Sequence, residues 1–365
     1  MSAGASAGAA PVVPLAAPPA VAGAVVGETG RETVADAPGP GRRRPARRPV
    51  RRRPARRAAR PRRPRGRLIV VAAVLCAALM ALNSQLPNGV GNLGSLWQTV
   101  LPWSGLGVAL LLLLAAVRRS ALAAAAVLVP ALVWTVLFAP ALVDKRAGGG
   151  DLTVVSHNVN EENPDPRRTA RALAASGADV LAVEELASRA QETYRHELAA
   201  AYPYAEVRGG VGLWSKYPLQ AVEPVEIMPW TRALRATVQT PKGPVAVYAA
   251  HLASVRVHPA AGFTTARRNE AAAKLAEAVR AERLPRIVVL GDFNGSVDDS
   301  ALDALTGPLR SAQREAGAGF GFTWPASFPV VRIDQILVKG ITPRSAWTLP
   351  DTGSDHLPVA ATLRL

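Results

Sequence analysis

The sequence predicts a membrane-anchored protein whose C-terminal domain has an α/β (α+β) fold. Three observations support this prediction: residues 1–67 contain no aromatic side chain, three long apolar runs without charge follow, and short strand-like runs alternate with helical ones after residue 150. Four segments are therefore expected: a tail at 1–67, a membrane region at 68–143, a glycine-rich linker at 144–150 and a domain at 151–365. About 215 residues suffice for one core of sheets covered by helices.

The N-terminal tail is rich in Ala, Pro, Gly and Arg, with 15 arginines between Arg42 and Arg67. A segment without aromatic residues buries too little apolar area to offset its loss of chain entropy, so the tail is predicted to be disordered. A block of positive charge beside a membrane span favours a cytoplasmic location and contact with anionic lipid head groups. Nucleic-acid binding by the tail is the alternative interpretation.

The three apolar runs are Leu68–Leu86, Leu96–Val117 and Ala121–Val143, with 19, 22 and 23 residues. Each is long enough to cross a bilayer as a transmembrane helix. Arginines precede the first run and Arg118-Arg119 separates the second from the third, so the positive-inside rule predicts a cytoplasmic N-terminus and an extracellular C-terminal domain. Because the runs contain no acidic or basic residue, they are predicted to form an anchor rather than an ion pathway.

The positive charge of the chain is confined to its N-terminal part. The formal net charge is +16, but residues 151–365 contain 23 Lys and Arg against 23 Asp and Glu. A neutral domain excludes a uniformly basic nucleic-acid-binding surface, while a local basic groove stays possible. The single cysteine, Cys76, excludes an intrachain disulfide and a thiolate metal cluster.

The domain is predicted to alternate strands with helices. Pro166 at the start and Gly177 just beyond the end delimit its first helix. The predicted strands are Leu152–Asn158, Val180–Glu184, Val211–Ser215, Leu234–Thr240, Val245–His251, Arg286–Gly291, Ile333–Val338 and Val359–Leu363, and the predicted helices are Arg167–Ala175, Arg189–Ala201 and Arg267–Glu282.

Several of these strand patterns end in polar residues, which is where α/β folds place their functional sites. Asn158 and Asn160 follow the first predicted strand and point to the same face of an extended chain. Glu184 and Glu185 follow the second. Because adjacent strand residues face opposite sides, only one of the two enters a shared site, and we predict Glu185. His251 closes a further strand and adds an imidazole.

The clearest local signal is Gly291-Asp292-Phe293-Asn294 at the end of a buried strand. Asp292 and Asn294 share a face, which suits a carboxylate and an amide that hold one water or oxyanion. Asp334 lies inside an apolar strand, where a carboxylate needs a partner, and His356 is predicted to supply a hydrogen bond. These oxygen and imidazole donors, without thiols, favour Mg²⁺ or Mn²⁺ and match the needs of phosphoester hydrolysis.

Seven short motifs of the domain occur in an order typical of a known family. They are Ser156-His157-Asn158-Val159-Asn160, Val183-Glu184-Glu185-Leu186, Gly212-Leu213-Trp214-Ser215-Lys216-Tyr217-Pro218, Ala250-His251-Leu252, Gly291-Asp292-Phe293-Asn294, Arg332-Ile333-Asp334 and Ser354-Asp355-His356-Leu357-Pro358. With these motifs, residues 151–365 resemble the endonuclease/exonuclease/phosphatase superfamily of metal-dependent hydrolases, which includes DNase I-like nucleases and neutral sphingomyelinases. The resemblance implies a four-layered sandwich of two mixed β-sheets flanked by helices, with the site at one end of the sheets.

The resemblance also implies roles for the residues that match. Glu185, helped by Asn158 and Asp355, would hold Mg²⁺. Asp292 and Asn294 would orient or activate the attacking water and contact the phosphate.

The two histidines and their neighbours complete the implied site. His251 and His356 would stabilise the transferring phosphoryl group and manage protons, with Asp334 orienting His356. Arg267 falls where family members often carry a phosphate-binding arginine. Glu184 departs from the family pattern, which usually has Gln there, and either adds negative charge near the metal or faces away.

The sequence therefore predicts a membrane-anchored, Mg²⁺-dependent phosphoester hydrolase that uses an activated water outside the cytoplasmic membrane. The substrate class stays open between nucleic acid and phospholipid or small phosphoesters, and no protein partner is indicated. The alternative from another class is a catalytically silent extracellular binding module on the same fold. Loss of Glu185, Asp292 or His356 would have favoured that alternative, and all three are present.

Overall fold

The computed structural model describes residues 66–365 of the protein. The tail predicted at 1–67, with its predicted disorder and lipid contacts, lies outside the described residues apart from Gly66 and Arg67. The described residues all belong to one compact unit. They begin with a helix bundle formed by α1 (Arg67–Ala81), α2 (Leu93–Val100), α3 (Ser104–Val117) and α4 (Ala121–Leu142).

A domain of strands and helices follows the bundle. Its elements are β1 (Leu152–Asn158), α5 (Pro166–Ala175), β2 (Val180–Glu184), α6 (Gln191–Leu198), β3 (Tyr204–Arg208), β4 (Val211–Ser215), β5 (Leu219–Pro224), β6 (Ala233–Thr240), β7 (Gly243–Ala250), β8 (Val257–His258), β9 (Gly262–Phe263), α7 (Ala266–Ala281), β10 (Ile287–Asp292), α8 (Asp303–Thr306), β11 (Arg310–Ser311), α9 (Ala312–Ala316), β12 (Asp334–Lys339), β13 (Thr342–Thr348) and β14 (Val359–Arg364).

Of the three predicted membrane spans, the first is wrong. Within residues 66–365, two helical stretches are long and apolar enough to cross a membrane, Leu93–Val117 with 25 residues and Ala121–Leu142 with 22. The first predicted span, Leu68–Leu86, contains only the 15-residue helix α1. A helix of that length rises about 22 Å, less than the roughly 30 Å of a bilayer core.

Polar residues explain why α1 stops short. The chain leaves α1 in a 3₁₀ turn at Asn83–Gln85. The Asn83 side chain donates from Nδ2 to the carbonyl of Met80 at 2.8 Å, and Gln98 of α2 donates to the carbonyl of Asn83 at 3.0 Å. Uncharged polar side chains thus end the helix within the run Leu68–Leu86. This run was predicted to be one span because it contains no charged residue.

The helix bundle has a small apolar core and an apolar outer surface. Ala73, Met80, Val108, Val127 and Phe138 are buried between the helices. The outward faces consist largely of exposed aliphatic side chains, among them Val71, Leu75, Leu106, Leu110, Leu113, Leu122, Leu128, Leu132 and Val136. Such a surface is more stable against lipid than against water.

The domain contains two six-stranded mixed sheets, as predicted. The first has the strand order β13-β14-β1-β2-β4-β3 and the second β11-β12-β10-β7-β6-β5. β1 pairs with β2 in parallel, β7 pairs with β10 in parallel, and the other pairs within these two sheets are antiparallel.

Three apolar clusters hold the layers together. The inner faces of the two sheets enclose a core that includes Val154, Leu234, Val288 and Ile336. On the outside, α5 and α6 pack against the first sheet, and α7 packs against the second. The order of layers is helix, sheet, sheet, helix, which agrees with the expected sheets flanked by helices.

The sheet pairings gather the polar strand ends at one end of the sandwich. Asn158 of β1 lies opposite Glu184 of β2, and Asp292 of β10 lies opposite Asp334 of β12. Gly291 makes this packing possible, because its φ is 144° and a Cβ there would lie 1.9 Å from the carbonyl oxygen of Ala250. Side chains that are far apart in sequence therefore meet at this end.

Candidate active site

Asp292 lies at the centre of the polar cluster. Its Oδ1 accepts a hydrogen bond from the backbone N–H of Asn294 at 2.8 Å, and its Oδ2 accepts from the amides of Asn158 at 3.0 Å and Asn294 at 3.2 Å. Burial raises the pKa of Asp292 to about 7, with the neighbouring Asp334 adding to the rise and His356 opposing it. A carboxylate held in this way is suited to accept a proton near neutral pH.

Asp334 and His356 form the hydrogen bond that the sequence suggests. Nδ1 of His356 lies 2.9 Å from Oδ2 of Asp334, and both side chains are buried. Burial alone would lower the pKa of His356, but the carboxylates of Asp334 and Asp292 outweigh it and raise this pKa to about 10. At neutral pH His356 is therefore an imidazolium, and its Nε2 lies 3.9 Å from Oδ2 of Asp292.

His251, in contrast to His356, is a neutral imidazole at neutral pH. Burial lowers its pKa well below the ordinary value, and the positive charges of Arg232 and His356 lower it further. Its Nε2 lies 3.1 Å from Nη1 of Arg232, so the neutral ring accepts a hydrogen bond there and carries its proton on Nδ1. The same Nε2 lies 3.5 Å from Glu185 and 3.6 Å from Asp292.

The two adjacent glutamates lie in different surroundings. Glu185 adopts a left-handed backbone conformation with φ 55°, and its side chain stays 25% exposed beside His251. Glu184 is fully buried and accepts a hydrogen bond from Ser156 Oγ at 2.9 Å through Oε1, whereas its Oε2 has no hydrogen-bond partner among residues 66–365. Burial raises the pKa of Glu184 well above its ordinary value, which favours the uncharged form of this carboxyl over added negative charge at the site.

Replacing Glu184 with glutamine is therefore expected to preserve activity. Glutamine has the same shape and keeps an oxygen acceptor for Ser156, so we expect a change of less than about 1 kcal/mol in the free energy of unfolding at acid pH. Because the folded-state pKa of Glu184 is raised, the contribution of this group to stability is lost as the pH rises above 4.5, and the variant lacks this particular loss. Its melting temperature, measured on the full chain, should exceed that of the native protein increasingly toward neutral pH.

The matched control is Glu192→Gln, which changes an exposed glutamate of α6 and should alter neither the melting temperature nor its pH dependence. A loss of kcat beyond tenfold in Glu184→Gln alone would mean that a charged Glu184 takes part in the reaction.

Two of the predicted site residues lie outside the hydrogen-bonded cluster: Asp355, predicted to bind the metal, and Arg267, predicted to contact the phosphate. Asp355 is exposed, and among the described residues its side chain has one hydrogen bond, from Trp324 Nε1 at 3.4 Å. Arg267 is exposed on the wall of a groove and contacts no residue of the cluster by hydrogen bond or ion pair in the described part of the chain. The structure therefore brings Asn158, Asp292 and Asn294 into direct contact, and among the described residues it shows no hydrogen bond from the side chains of Asp355 and Arg267 to this cluster.

Sequence reasoning missed Arg232 and the buried pair Arg268 and Asp299. Arg268 donates to Asp299 at 2.6 Å and to the carbonyl of Asn294 at 3.2 Å. One signal was available for Arg268: it precedes Ala271 by three residues and Leu275 by seven, so the apolar periodicity of α7 places it on the buried face. No local pattern distinguishes Arg232.

Two adjoining cavities extend from the cluster. One of about 290 Å³ is lined by Glu185, His251 and Arg232, and the other, of about 620 Å³, by Arg256 and Arg267. Arg232 and the exposed Trp230 line both cavities, so they form one groove. We call this the arginine groove.

The donor set at the site fits a hard divalent cation. Ligand atoms of Asp292, Asp334 and His356 lie within 4.8 Å of one another, but His356 is charged and already bonded to Asp334. The partly exposed carboxylate of Glu185 lies 3.5 Å from Nε2 of His251 and accepts one hydrogen bond, from the backbone N–H of Glu161 at 3.4 Å, so it retains lone pairs for a cation. Carboxylate and amide oxygens are the ligands that Mg²⁺ prefers.

Comparison with known proteins identifies the family. The model of the Endonuclease/Exonuclease/phosphatase family matches residues 155–356. The chain belongs to this family. As a family member it is a phosphoester hydrolase, which confirms the enzyme class predicted from the sequence, and the family's chemistry is metal-dependent. No curated protein matches the chain.

The chain is also similar to solved structures of other proteins. Danio rerio TDP2 complexed with a single-strand DNA product is 18% identical, with a TM-score of 0.50, over 59% of this chain and 99% of that one. Sphingomyelinase C from Streptomyces griseocarneus is 20% identical, with a TM-score of 0.46, over 58% and 98%. Beta toxin from Staphylococcus aureus, in a mutant with bound magnesium ions, is 17% identical, with a TM-score of 0.47, over 58% and 99%.

Proposed function

We propose that this protein is a membrane-anchored, Mg²⁺-dependent phosphodiesterase that hydrolyses lipid phosphoesters at the outer face of the cytoplasmic membrane. One observation carries the choice of substrate: the end of the sandwich that holds the active site is also the end that rests on the helix bundle. A site placed there reaches head groups of the bilayer in which the bundle lies.

Three loops at the active-site end make these contacts. After β7, the β8–β9 hairpin reaches the bundle, where Phe263 N–H donates to the carbonyl of Gly91 at 2.8 Å. After β10, Asp299 accepts a hydrogen bond from Ser95 of α2 at 2.9 Å. Before β12, the carbonyl of Val330 accepts from Trp103 Nε1 at 2.7 Å. Each loop adjoins a strand end that carries a site residue.

The same loops and the groove expose apolar side chains. Val257 of the hairpin is 68% exposed, Phe328 of the loop before β12 is 71% exposed, and Trp230 of the arginine groove is 55% exposed. Exposed aromatic and aliphatic residues around a site are typical of surfaces that contact lipid. These side chains support a substrate presented in a membrane.

The bundle supports the proposed anchor and its orientation. Two of its helical stretches have membrane-spanning length, and its outer faces are aliphatic. Gly66, which precedes α1, packs against Ser120 just before α4, so Arg67, Arg118 and Arg119 lie near the end of the bundle remote from the domain. The positive-inside rule assigns that end to the cytoplasm and the domain to the outside.

The proposed chemistry is attack by water on the phosphoryl group. Asp292, held by Asn158 and Asn294, accepts the proton of the water. The His356 imidazolium, oriented by Asp334, stabilises negative charge on the phosphoryl oxygens and is the nearest proton source for the leaving alkoxide.

A divalent cation completes the proposed site. Glu185 would hold Mg²⁺, with Asn158 and Asp355 as its further ligands. When bound, Mg²⁺ supplies positive charge to the phosphoryl oxygens. Neutral His251, which accepts a hydrogen bond from Arg232, places its Nε2 within 3.6 Å of both Glu185 and Asp292.

A nuclease is the second candidate. The arginine groove favours it, because Arg232, Arg256 and Arg267 line a path beside the aromatic face of Trp230, a combination that suits a single nucleic-acid strand. Two observations argue against a nuclease: the net charge of residues 151–365 is zero, and the site lies next to the helix bundle.

The test uses the full chain reconstituted in vesicles of phosphatidylcholine, phosphatidylglycerol and sphingomyelin, with Mg²⁺. We expect release of phosphorylated head groups, measured by phosphorus NMR, that is absent in Asp292→Ala. Supercoiled plasmid is offered in parallel. Nicking without lipid hydrolysis would transfer the assignment to a nuclease, and the absence of both activities in a folded protein would overturn the proposal.

A further inference from the structure

The helix bundle does more than attach the domain to a membrane. We infer that Ser95 of α2 is a positioning residue of the active site, acting on Asn294 through the buried ion pair of Asp299 and Arg268. The inference rests on the proposed hydrolase activity for its kinetic test and on contacts within the described residues for its structure.

The connection consists of three consecutive contacts. Ser95 Oγ donates to Oδ1 of Asp299 at 2.9 Å. Oδ2 of Asp299 accepts from Nη2 of Arg268 at 2.6 Å. Nη1 of Arg268 donates to the carbonyl of Asn294 at 3.2 Å. The side chains of Ser95, Asp299 and Arg268 have no exposed surface, so water does not compete for these bonds.

Asn294 connects Arg268 to the catalytic carboxylate of Asp292. Its backbone N–H and side-chain amide both donate to Asp292. Asn294 has a φ of 47°, a left-handed conformation that few residues adopt without support. Gly295 follows it in close contact with Arg268, since a Cβ at Gly295 would lie 2.7 Å from Nη1. A shift of the Arg268 guanidinium therefore displaces the turn that holds Asp292.

Ser95 is required to complete the bonding of Asp299. Oδ1 of Asp299 has two donors, the hydroxyl of Ser95 and the backbone N–H of Ala301 at 3.0 Å. Without the hydroxyl, a buried charged oxygen keeps one donor, and rotation of the carboxylate toward other donors would draw Arg268 away from Asn294.

A second polar side chain directs the same face of α2 toward the domain. Gln98 lies three residues after Ser95, and its Oε1 accepts from the backbone N–H of Ser300 at 3.0 Å. Residues three apart lie on one side of a helix, so α2 presents a buried polar face to the loop that follows β10. This face belongs to the active-site end of the domain and not to the lipid.

The test compares Ser95→Ala with Ser104→Ala in the full chain, purified in detergent. Ser104 is also buried and hydrogen-bonded, but its partners, Met80 and the carbonyl of Leu101, lie within the bundle. With bis(p-nitrophenyl) phosphate and Mg²⁺, we expect Ser95→Ala to lower kcat by roughly 10- to 100-fold with KM little changed, as removal of an outer-shell partner does. Ser104→Ala and Ser95→Thr, which retains the hydroxyl, should keep kcat within about threefold of the native value.

Hydrogen–deuterium exchange of the peptide at 293–300 provides a readout that does not depend on turnover. We expect faster exchange in Ser95→Ala and unchanged exchange in Ser104→Ala. Native kcat and native exchange in Ser95→Ala would overturn the inference. A native protein inactive on every phosphodiester would instead overturn the proposed function, and the exchange measurement would still decide the role of Ser95.

Discussion

Asp292→Ala is expected to lower kcat by roughly 10³-fold or more while the domain stays folded. The substitution removes the carboxylate that Asn158 and Asn294 hold and that lies within 4 Å of both histidines. Stability should not fall in proportion, because Asp292 is buried close to Asp334 and its removal relieves repulsion between carboxylates. Initial rates on a soluble phosphodiester and the melting temperature of the full chain measure the two effects.

Two controls make this result specific. Asp144→Ala removes an aspartate that is 54% exposed and paired with Arg146, and it should leave kcat unchanged. His356→Ala should match the loss seen for Asp292→Ala, whereas His196→Ala, at a side chain that is 79% exposed, should have no effect. Near-native activity in both Asp292→Ala and His356→Ala would show that the reaction takes place elsewhere on the protein.

Removal of the divalent cation is expected to abolish activity. Without it, the carboxylates of Glu185 and Asp292 face a substrate phosphate with only His356 and the nearby arginines as positive charges. EDTA should reduce turnover to background, and added Mg²⁺ should restore it. The melting temperature should rise with Mg²⁺ concentration, because the ion binds the folded protein.

Glu185→Gln tests which residue holds the ion. Loss of a residue that hydrogen-bonds to a metal ligand costs roughly 10- to 100-fold in metal affinity. Loss of a carboxylate that binds the ion directly should therefore raise the Mg²⁺ concentration for half-maximal activity by at least that factor. Glu192→Gln, at an exposed position, is the matched control. An unchanged Mg²⁺ requirement in Glu185→Gln would exclude this carboxylate as a ligand and favour the cluster of Asp292, Asp334 and His356.

The helix bundle supports the loops at the active-site end of the domain. Ser95 and Trp103 are hydrogen-bonded to loops that carry or support site residues, and Phe322 of the loop before β12 stacks on Trp103 with ring centroids 5.7 Å apart. Thr323, next in that loop, accepts from the backbone N–H of Asp334 at 3.4 Å. A domain separated from the bundle would lose these supports, so activity is best measured on the full chain.

The pattern of the sequence predicted strands that alternate with helices, and the family resemblance implied their arrangement as two mixed sheets flanked by helices. Apolar runs such as Val180–Glu184 and Ile287–Asp292 are buried strands in the structure. The polar residues at their ends meet because the two sheets bring these strand ends to the same end of the sandwich. The hydrogen bond between Asp334 and His356 was predictable for a similar reason: a carboxylate inside an apolar strand needs a partner.

The same kind of reasoning failed where uncharged polar residues decide the structure. The run Leu68–Leu86 contains no charge, yet Asn83 turns the chain after α1 by bonding its own side chain to Met80. The contacts of α2 with the domain were not predicted either, because Ser95 and Gln98 are too few to mark a polar face in an apolar pattern. Their partners, Asp299 and Ser300, lie about two hundred residues away in the sequence.

The sequence by itself determined the class of fold, the family and most of the residues at the centre of the site, because these depend on alternation along strands and on which residues end them. Only the tertiary structure decided the directions in which the pKa values of Glu184, His251 and His356 shift, since these shifts arise from burial and from neighbours on other strands. It also decided that the site end rests on the helix bundle and that Arg268 and Asp299 support Asn294. Contacts between distant segments depend on how whole elements dock, which no local pattern in the sequence records.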